Sequence, residues 1–449
     1  MNKNSININN RCVFLLSFLF LFLTNCSSNS ATEIPEIPIV ETENKWIIYE
    51  VNPKLFEKDN SFNSIANRLD EIQEMGVNVV WLMPIYEEGI EKAFGSPYSV
   101  KDYKKVNTSY GSLEDLKALV NKAHTKKMKV ILDWVANHSS WDNSWIENKD
   151  WYTQNANGDI ISPPEFNWSD VADLNYNNLD MRHAMIDAMK YWITEVGVDG
   201  YRCDYAEGVP SDFWKESIKE LRKLKGDDLI MLAEGGKASL FSDGFDIIYG
   251  WDFAFKLQDL YNGKISLRSF YETQQKEYQN VPEGKHRMRY STNHDMASDE
   301  SPIQVYKGEK GAMSAFVIAT TMGGSPMIYS SQEVGYSSPL SFFNFRAIDW
   351  SSNPTYSSEY KKVMNIYNNS KALRKGVLRT FDTENVVSFY RESNNEGVLI
   401  MVNITDKKTE VKVPIEFANE KMKNLLDNSS ETLPTVLELE PFQYKILQH

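Results

Sequence analysis

KVILDWVANH, residues 129–138, is the stretch from which the fold is read. An apolar, β-prone run ends there in Asp133, Asn137 and His138. Three more segments repeat the arrangement in chain order: GYRCDY at 200–205, LAEGG at 232–236 and TNHD at 292–295. Each puts a carboxylate, Arg, His or Asn where a strand should stop. In a (β/α)8 barrel the C-terminal strand ends line the reaction cleft, so polar groups gathered at such ends read as a site and not as packing.

Working outward, short apolar runs alternate with amphipathic helical patterns from Trp46 onward, which is the signature of a parallel sheet wrapped by helices. Eight strands are expected near Trp46 to Asn52, Val77 to Pro84, Lys129 to Ala136, Gly200 to Asp204, Leu229 to Glu234, Phe245 to Tyr249, Arg287 to Asn293 and Ser325 to Ser330. Helical spacing of roughly 3.6 residues marks Phe62 to Met75, Leu113 to Lys127, Met181 to Val196, Asp212 to Lys225, Gly311 to Met322 and Glu359 to Lys375. Ser112 is a plausible N-cap with Asp115 three residues on. One interval of about forty residues, Ser139 to Leu179, is rich in Trp, Asn, Asp and Pro, and a loop that long inside a domain usually serves function. After Lys375 the pattern turns to period two, in Val386 to Tyr390, Val398 to Val402 and Val411 to Val413, which reads as an antiparallel β domain. The fold class expected is therefore α/β: a TIM barrel over 45–375, an insertion after its third strand over 139–179, and a C-terminal β-sandwich over 376–449.

A chain of 449 residues, 42% hydrophobic and 12% aromatic, has ample material for a large core. Its net charge of −14 argues against nucleic acid as a partner, because a phosphate-reading surface needs clustered Lys and Arg. A neutral substrate suits it better. Of three cysteines, Cys12 and Cys26 lie in the leader region and Cys203 in the barrel, so no disulfide framework is expected in the mature chain. Lys3 and Arg11 precede the apolar run Cys12 to Leu23, a secretory signal too short for a transmembrane helix. Leu23-Thr24-Asn25-Cys26 is similar to a bacterial lipobox, although Asn25 departs from the small residue usual there. Residues 1–25 then read as a signal peptide, Cys26 as a lipidated first residue and 26–44 as a tether holding the domain to the cell envelope, at the outer membrane or cell surface. A plain cleaved leader is the alternative.

The four segments, their order and spacing, and the flanking YGSLEDL at 110–116 and MIYSSQE at 327–333 together resemble the α-amylase family of glycoside hydrolases, from Trp46 to the C-terminus. The resemblance implies a barrel with an inserted B domain and a C-terminal β-sandwich. It implies Asp204 as nucleophile, Glu234 as general acid/base and Asp295 as the carboxylate that holds the sugar. It also implies His138 and His294 as ligands of the sugar hydroxyls, and Tyr98 as a stacking platform. A retaining glycosidase needs one carboxylate ionised and one protonated. Arg202, two residues before Asp204 on one strand, is expected to keep Asp204 ionised, and Asp295 to raise the acid's pKa. Asp133 is expected to brace Arg202.

Departures matter as much. Many amylases follow the nucleophile with Lys-His; here those positions are Glu207 and Gly208, so the leaving-group subsites should differ. The family's structural calcium would draw on Asn137, Asp173 and the carbonyl of Gly208, three of the six to eight oxygens required. No organic cofactor is expected. Asp173-Leu174-Asn175 resembles the oligosaccharide-directed and neopullulanase-like branches. Trp141, Trp145, Trp151, Tyr152 and Trp168 would mostly form the small core of the insertion. Cys203 should point away from the cleft by strand alternation. Three readings result: a hydrolase of α-1,4-glucans and maltooligosaccharides, a glucanotransferase or neopullulanase/α-glucosidase-type enzyme with the same chemistry, and an inactive glucan-binding protein, against which the intact acid set counts.

Overall fold

A closed barrel of eight parallel strands forms the centre of the protein, in a computed structural model that describes residues 46–449. Its strands, numbered β1–β8 along the chain, are Ile48–Val51, Val79–Leu82, Lys129–Val135, Gly200–Asp204, Ile230–Ala233, Ile247–Tyr249, His286–Arg289 and Ser325–Tyr329. Each is paired with its neighbours in sequence, and β1 closes the ring against β8 through Ile48–Met327, Tyr49–Ile328 and Glu50–Tyr329. Nearly every residue of these strands is buried, as expected when helices cover one face and side chains fill the other. Gly200 has φ +151°, and a Cβ there would strike the backbone of Ile230, so β4 and β5 approach as closely as glycine allows. The leader, Cys26 and its tether lie outside the described residues. Among the described residues no helix is long and apolar enough to cross a membrane.

The helices confirm the periodicity with two corrections. Ser112 caps the helix Leu113–Thr125, accepting from the N–H of Asp115 at 3.2 Å while Asp115 accepts from the N–H of Ser112 at 2.9 Å. The stretch expected as one helix over Glu359 to Lys375 is two, Pro354–Asn369 and Lys371–Lys375, broken at Ser370, whose extended backbone lets its hydroxyl cap the second. Two helices not expected, Trp251–Tyr261 and Leu267–Tyr278, fill the interval between β6 and β7.

The insertion after β3 carries a short antiparallel pair, His138–Ser140 with Val171–Asp173, and two 3-10 turns. The C-terminal part is a six-stranded antiparallel sheet facing a two-stranded one. Alternation along Val386–Ser393 and Glu396–Asn403 sorts its core: Val387, Phe389, Val398, Ile400 and Val402 join the barrel's core, whereas Val386, Tyr390, Leu399 and Met401 pack with Val411, Leu437 and Leu439 of the small sheet. Buried Arg391 ties the two parts by donating to the carbonyls of Met322, Ala372 and Leu373.

Candidate active site

Strand register assembles the carboxylates. On β3 and β4, Asp133 lies opposite Arg202 and Val135 opposite Asp204. Arg202 and Asp204 are two residues apart and share a face; Cys203 between them is buried on the other. The guanidinium of Arg202, fully buried, donates Nη1 to Asp133 Oδ1 at 2.7 Å and to Asp204 Oδ1 at 2.8 Å, and its Nη2 lies 3.1 Å from Glu234 Oε2. Its Nε donates to the hydroxyl of Tyr249 at 3.1 Å. Trp81 Nε1 and the Tyr98 hydroxyl both donate to Asp133 Oδ2 at 3.2 Å, so Asp133 is held from two sides while it holds the arginine.

Glu234 directly follows β5, next to the chain that follows Asp204. Tyr205 adopts φ 38°, ψ 50°, a left-handed conformation uncommon outside glycine, and this turn aims its N–H at Glu234 Oε2 at 2.6 Å. Burial pushes Glu234 up to about 7; Arg202 opposes it, and the negative charges of Asp204 and Asp295 add to it. Asp204 itself is raised, to about 6, because burial outweighs the attraction of Arg202 and because Asp133 and Asp295 repel. Arg202, expected to keep Asp204 ionised, does lower it but is outweighed by burial, whereas Asp295 raises the acid as expected, behind burial and Asp204. One cation shared among Asp133, Asp204 and Glu234 cannot fully neutralise three buried carboxyls. The order survives: Glu234 keeps its proton to higher pH than Asp204.

The two histidines have opposite states. His294 Nδ1 lies 2.5 Å from Glu50 Oε1, and its Nε2 lies 2.8 Å from the Tyr98 hydroxyl and 3.3 Å from Asp295 Oδ1. Burial opposes the charged ring, yet Asp295 and Glu50 raise it to about 9, so His294 is a cation at neutral pH. Among the described residues no carboxylate pairs with His138, and burial lowers it to about 4, leaving a neutral imidazole. Glu50 was missed in the sequence, where its one signal is a charged residue inside the apolar strand β1. Tyr98 stacks on His294, with centroids 5.5 Å apart and planes at 22°.

These groups open into a cavity of about 420 Å³ lined by Tyr98, His138, Asp204, Glu234, His294 and Asp295. Its walls are aromatic. Phe166 stacks on Trp168 at 4.1 Å, and both meet the edge of Tyr205, next to Glu234. Phe94, Phe342 and Phe343 border the other side. The remaining aromatics of the insertion mostly pack: Trp145 lies against Tyr103 and Trp151, Tyr152 is buried, and Trp141 lies under the ammonium of Lys92.

At the departure positions, Glu207 Oε1 accepts the N–H groups of Gly236 and Lys237 at 2.7 and 2.9 Å, and Oε2 pairs with Lys237 Nζ at 2.8 Å. It thereby clamps the loop that leaves Glu234. Gly208 packs against the Tyr205 ring, and a Cβ there would come within 2.9 Å of Asn137 Oδ1. Asn137 and Gly208 are thus neighbours, but the Asp173 carboxyl is engaged by Thr153 and feels Glu165. Among the described residues no three acidic, His or Cys side chains gather around a metal position. Asn137, Asp173 and the Gly208 carbonyl would supply three of the six to eight oxygens that a calcium ion takes.

Residues 53–170 and 164–412 match the family model described as alpha amylase, catalytic domain. Alpha-amylase MalA of Haloarcula japonica is 26% identical over 402 residues, covering 82% of this chain and 56% of its own length. Alpha-amylase 2 of Dictyoglomus thermophilum is 27% identical over 383 residues, 80% of this chain and 66% of its own length. This chain thus spans less than two thirds of either relative. The crystal structure of a noncanonic maltogenic alpha-amylase from Thermotoga neapolitana superposes with a TM-score of 0.81 and 28% identity, over 90% of this chain and 98% of that one.

Proposed function

The chain belongs to the alpha-amylase family, and on that premise we propose that it is a retaining glycoside hydrolase cleaving α-1,4-glucosidic bonds in starch-type glucans or maltooligosaccharides. The observation that carries this reading is the single buried guanidinium of Arg202, at 2.7 Å from Asp133, 2.8 Å from Asp204 and 3.1 Å from Glu234. It holds two carboxyls of unequal proton affinity on one cavity, which is what the chemistry requires.

In the first step Asp204 attacks the anomeric carbon while Glu234 gives its proton to the leaving oxygen, forming a glucosyl–aspartate ester. In the second, Glu234 takes a proton from water as the water oxygen displaces Asp204. Asp295, cationic His294 and neutral His138 bind hydroxyls of the same sugar, and the Tyr98 ring lies beneath it. Arg202 keeps charge on Asp204 affordable between the two steps, and Asp133 keeps Arg202 in place. The likeness to the maltogenic enzyme of Thermotoga neapolitana supports maltooligosaccharides as the substrate class. Cys26 would carry a lipid that tethers the enzyme to the cell envelope through residues 26–44.

A timed product profile on maltoheptaose, with pullulan in parallel, tests the reading. Shorter maltooligosaccharides released as α-anomers are the expected result. Products longer than the input would assign glucosyl transfer instead, by the same intermediate. An unchanged substrate would overturn the hydrolase and leave a binding protein.

A further inference from the structure

We propose that Lys54 is a positioning residue that fixes the two aromatic lips on the retained-sugar side of the cleft and so sets how many sugar units are held there. The inference rests on the retaining α-glucan reading above. Lys54 sits in the 3-10 turn Pro53–Leu55 just after β1, and only 3% of it is exposed. A buried lysine needs partners for its charge and its three protons. Its ammonium has three: the Glu88 carboxylate at 2.9 Å, the carbonyl of Gly95 at 3.0 Å and the carbonyl of Phe343 at 3.3 Å.

Barrel topology explains the choice. Because β1 lies between β2 and β8, its C-terminal turn lies between the loops that follow those two strands. Glu88 and Gly95 belong to the first loop and Phe343 to the second, and Lys54 joins them. Backbone bonds reinforce the second link, Arg346 N–H to Lys54 O at 2.7 Å and Ile348 N–H to Leu55 O at 3.0 Å. At Gly95, with φ +82°, a Cβ would stand 3.3 Å from the Phe343 carbonyl oxygen, so the loops touch at the lysine.

Next to these anchor points stand the lips. Phe94 precedes Gly95 and is 65% exposed. Phe342 stacks on Phe343 at 4.6 Å and meets Tyr98 and His294 edge-on at 5.7 and 5.4 Å. All three line the cavity that holds Asp204. The acid marks the leaving-group side, where Tyr205, Phe166 and Trp168 form the wall. Phe342 borders Tyr98 and His294 instead, which is the side of the sugar chain that stays on the enzyme. Removing the ammonium alone would leave the Glu88 carboxylate and two carbonyls without their shared donor, so Lys54 is what holds the two loops in register.

Kinetics of Lys54→Met test this with two donors. α-Glucosyl fluoride occupies one sugar site and should keep wild-type kcat and KM within about twofold, whereas KM for maltoheptaose should rise roughly tenfold and the products become less uniform in length. Phe94→Ala, at an exposed position, should shift maltoheptaose KM and product length the same way, and the double variant should be no worse than the larger single effect. Unchanged maltoheptaose kinetics in Lys54→Met, or an equal loss on both donors, overturns the proposal. Should Lys54→Met fail to fold, Lys54→Arg, whose planar fork cannot meet three converging acceptors, is read by the same two donors. Failure of the wild type on maltoheptaose would instead overturn the hydrolase reading itself.

Discussion

The backbone N–H of Tyr205 donates to Oε2 of Glu234 at 2.6 Å, so the residue that follows one candidate carboxylate holds the other in place. The turn that follows β4 therefore links Asp204 to Glu234. A fixed pair of this kind suits chemistry in which one carboxyl attacks the sugar while the other serves first as acid and then as base.

Asp204→Asn should lower kcat by roughly four orders of magnitude, the scale seen when one member of a catalytic set is removed. Folding should survive, because Arg202 retains Asp133 and Glu234. Steady-state kinetics beside a thermal melt checks both halves, and near-normal turnover would remove Asp204 from the nucleophile's role.

The activity profile should be bell-shaped, with limbs set by the acid and the nucleophile. Asp204 must be ionised, so rate falls as pH drops through about 6; Glu234 must be protonated, so rate falls as pH rises through about 7. In Glu234→Gln the alkaline limb should vanish for α-glucosyl fluoride, whose leaving group needs no proton, while maltoheptaose cleavage collapses. A persistent alkaline limb on the fluoride would assign it to another group.

Glu234 also weighs on stability. Its folded pKa lies above the unfolded value, so its contribution favours the fold below about 4.5 and is lost as pH rises through about 7. Glu234→Gln should accordingly raise Tm more at pH 8 than at pH 5. Melts at the two pH values with equal gains would contradict the burial of that charge.

His294 carries the same sign with the opposite charge. Its folded pKa of about 9 exceeds the usual 6.5, so its stabilisation is complete below 6.5 and lost through about 9. His294→Gln should destabilise more at pH 6 than at pH 10, and the buried Glu50 left behind should account for much of it. Imidazole NMR shifts on the wild type offer a direct check: the His294 ring charged at pH 7.5 and that of His138 neutral.

Glu207→Gln should loosen the loop after Glu234 without touching substrate. Faster hydrogen exchange at the amides of Gly236 and Lys237 is expected, with kcat lowered by about tenfold, since a modest misplacement of a catalytic group costs that much or more. Wild-type exchange at those amides would mean that Glu207 does not clamp them.

The barrel strands were legible because most are short apolar runs with a polar group at the end, although β7, His286–Arg289, carries a histidine and two arginines. The helix Leu267–Tyr278 was not, for a particular reason: its inward stripe of Leu267, Phe270, Tyr271 and Tyr278 is completed by buried Gln274 and Glu277. Those two polar residues are satisfied by Arg289 on β7, at 2.7 and 2.6 Å, a partner no periodicity can reveal. Trp251–Tyr261 was hidden by Trp251, Phe253 and Phe255, whose spacing of two mimics a strand.

The sequence by itself determined the barrel, its insertion and the residues that face the cleft, because alternation and helical spacing are local and strand ends are marked by composition. Which groups share a proton or a charge was decided only by the tertiary structure. Glu50 meets His294 across 244 residues and Lys54 meets Phe343 across 289. The same closure of the sheet that brings them together removes the water that would have screened them, and it raises Asp204 where the chain order alone suggested that Arg202 would lower it.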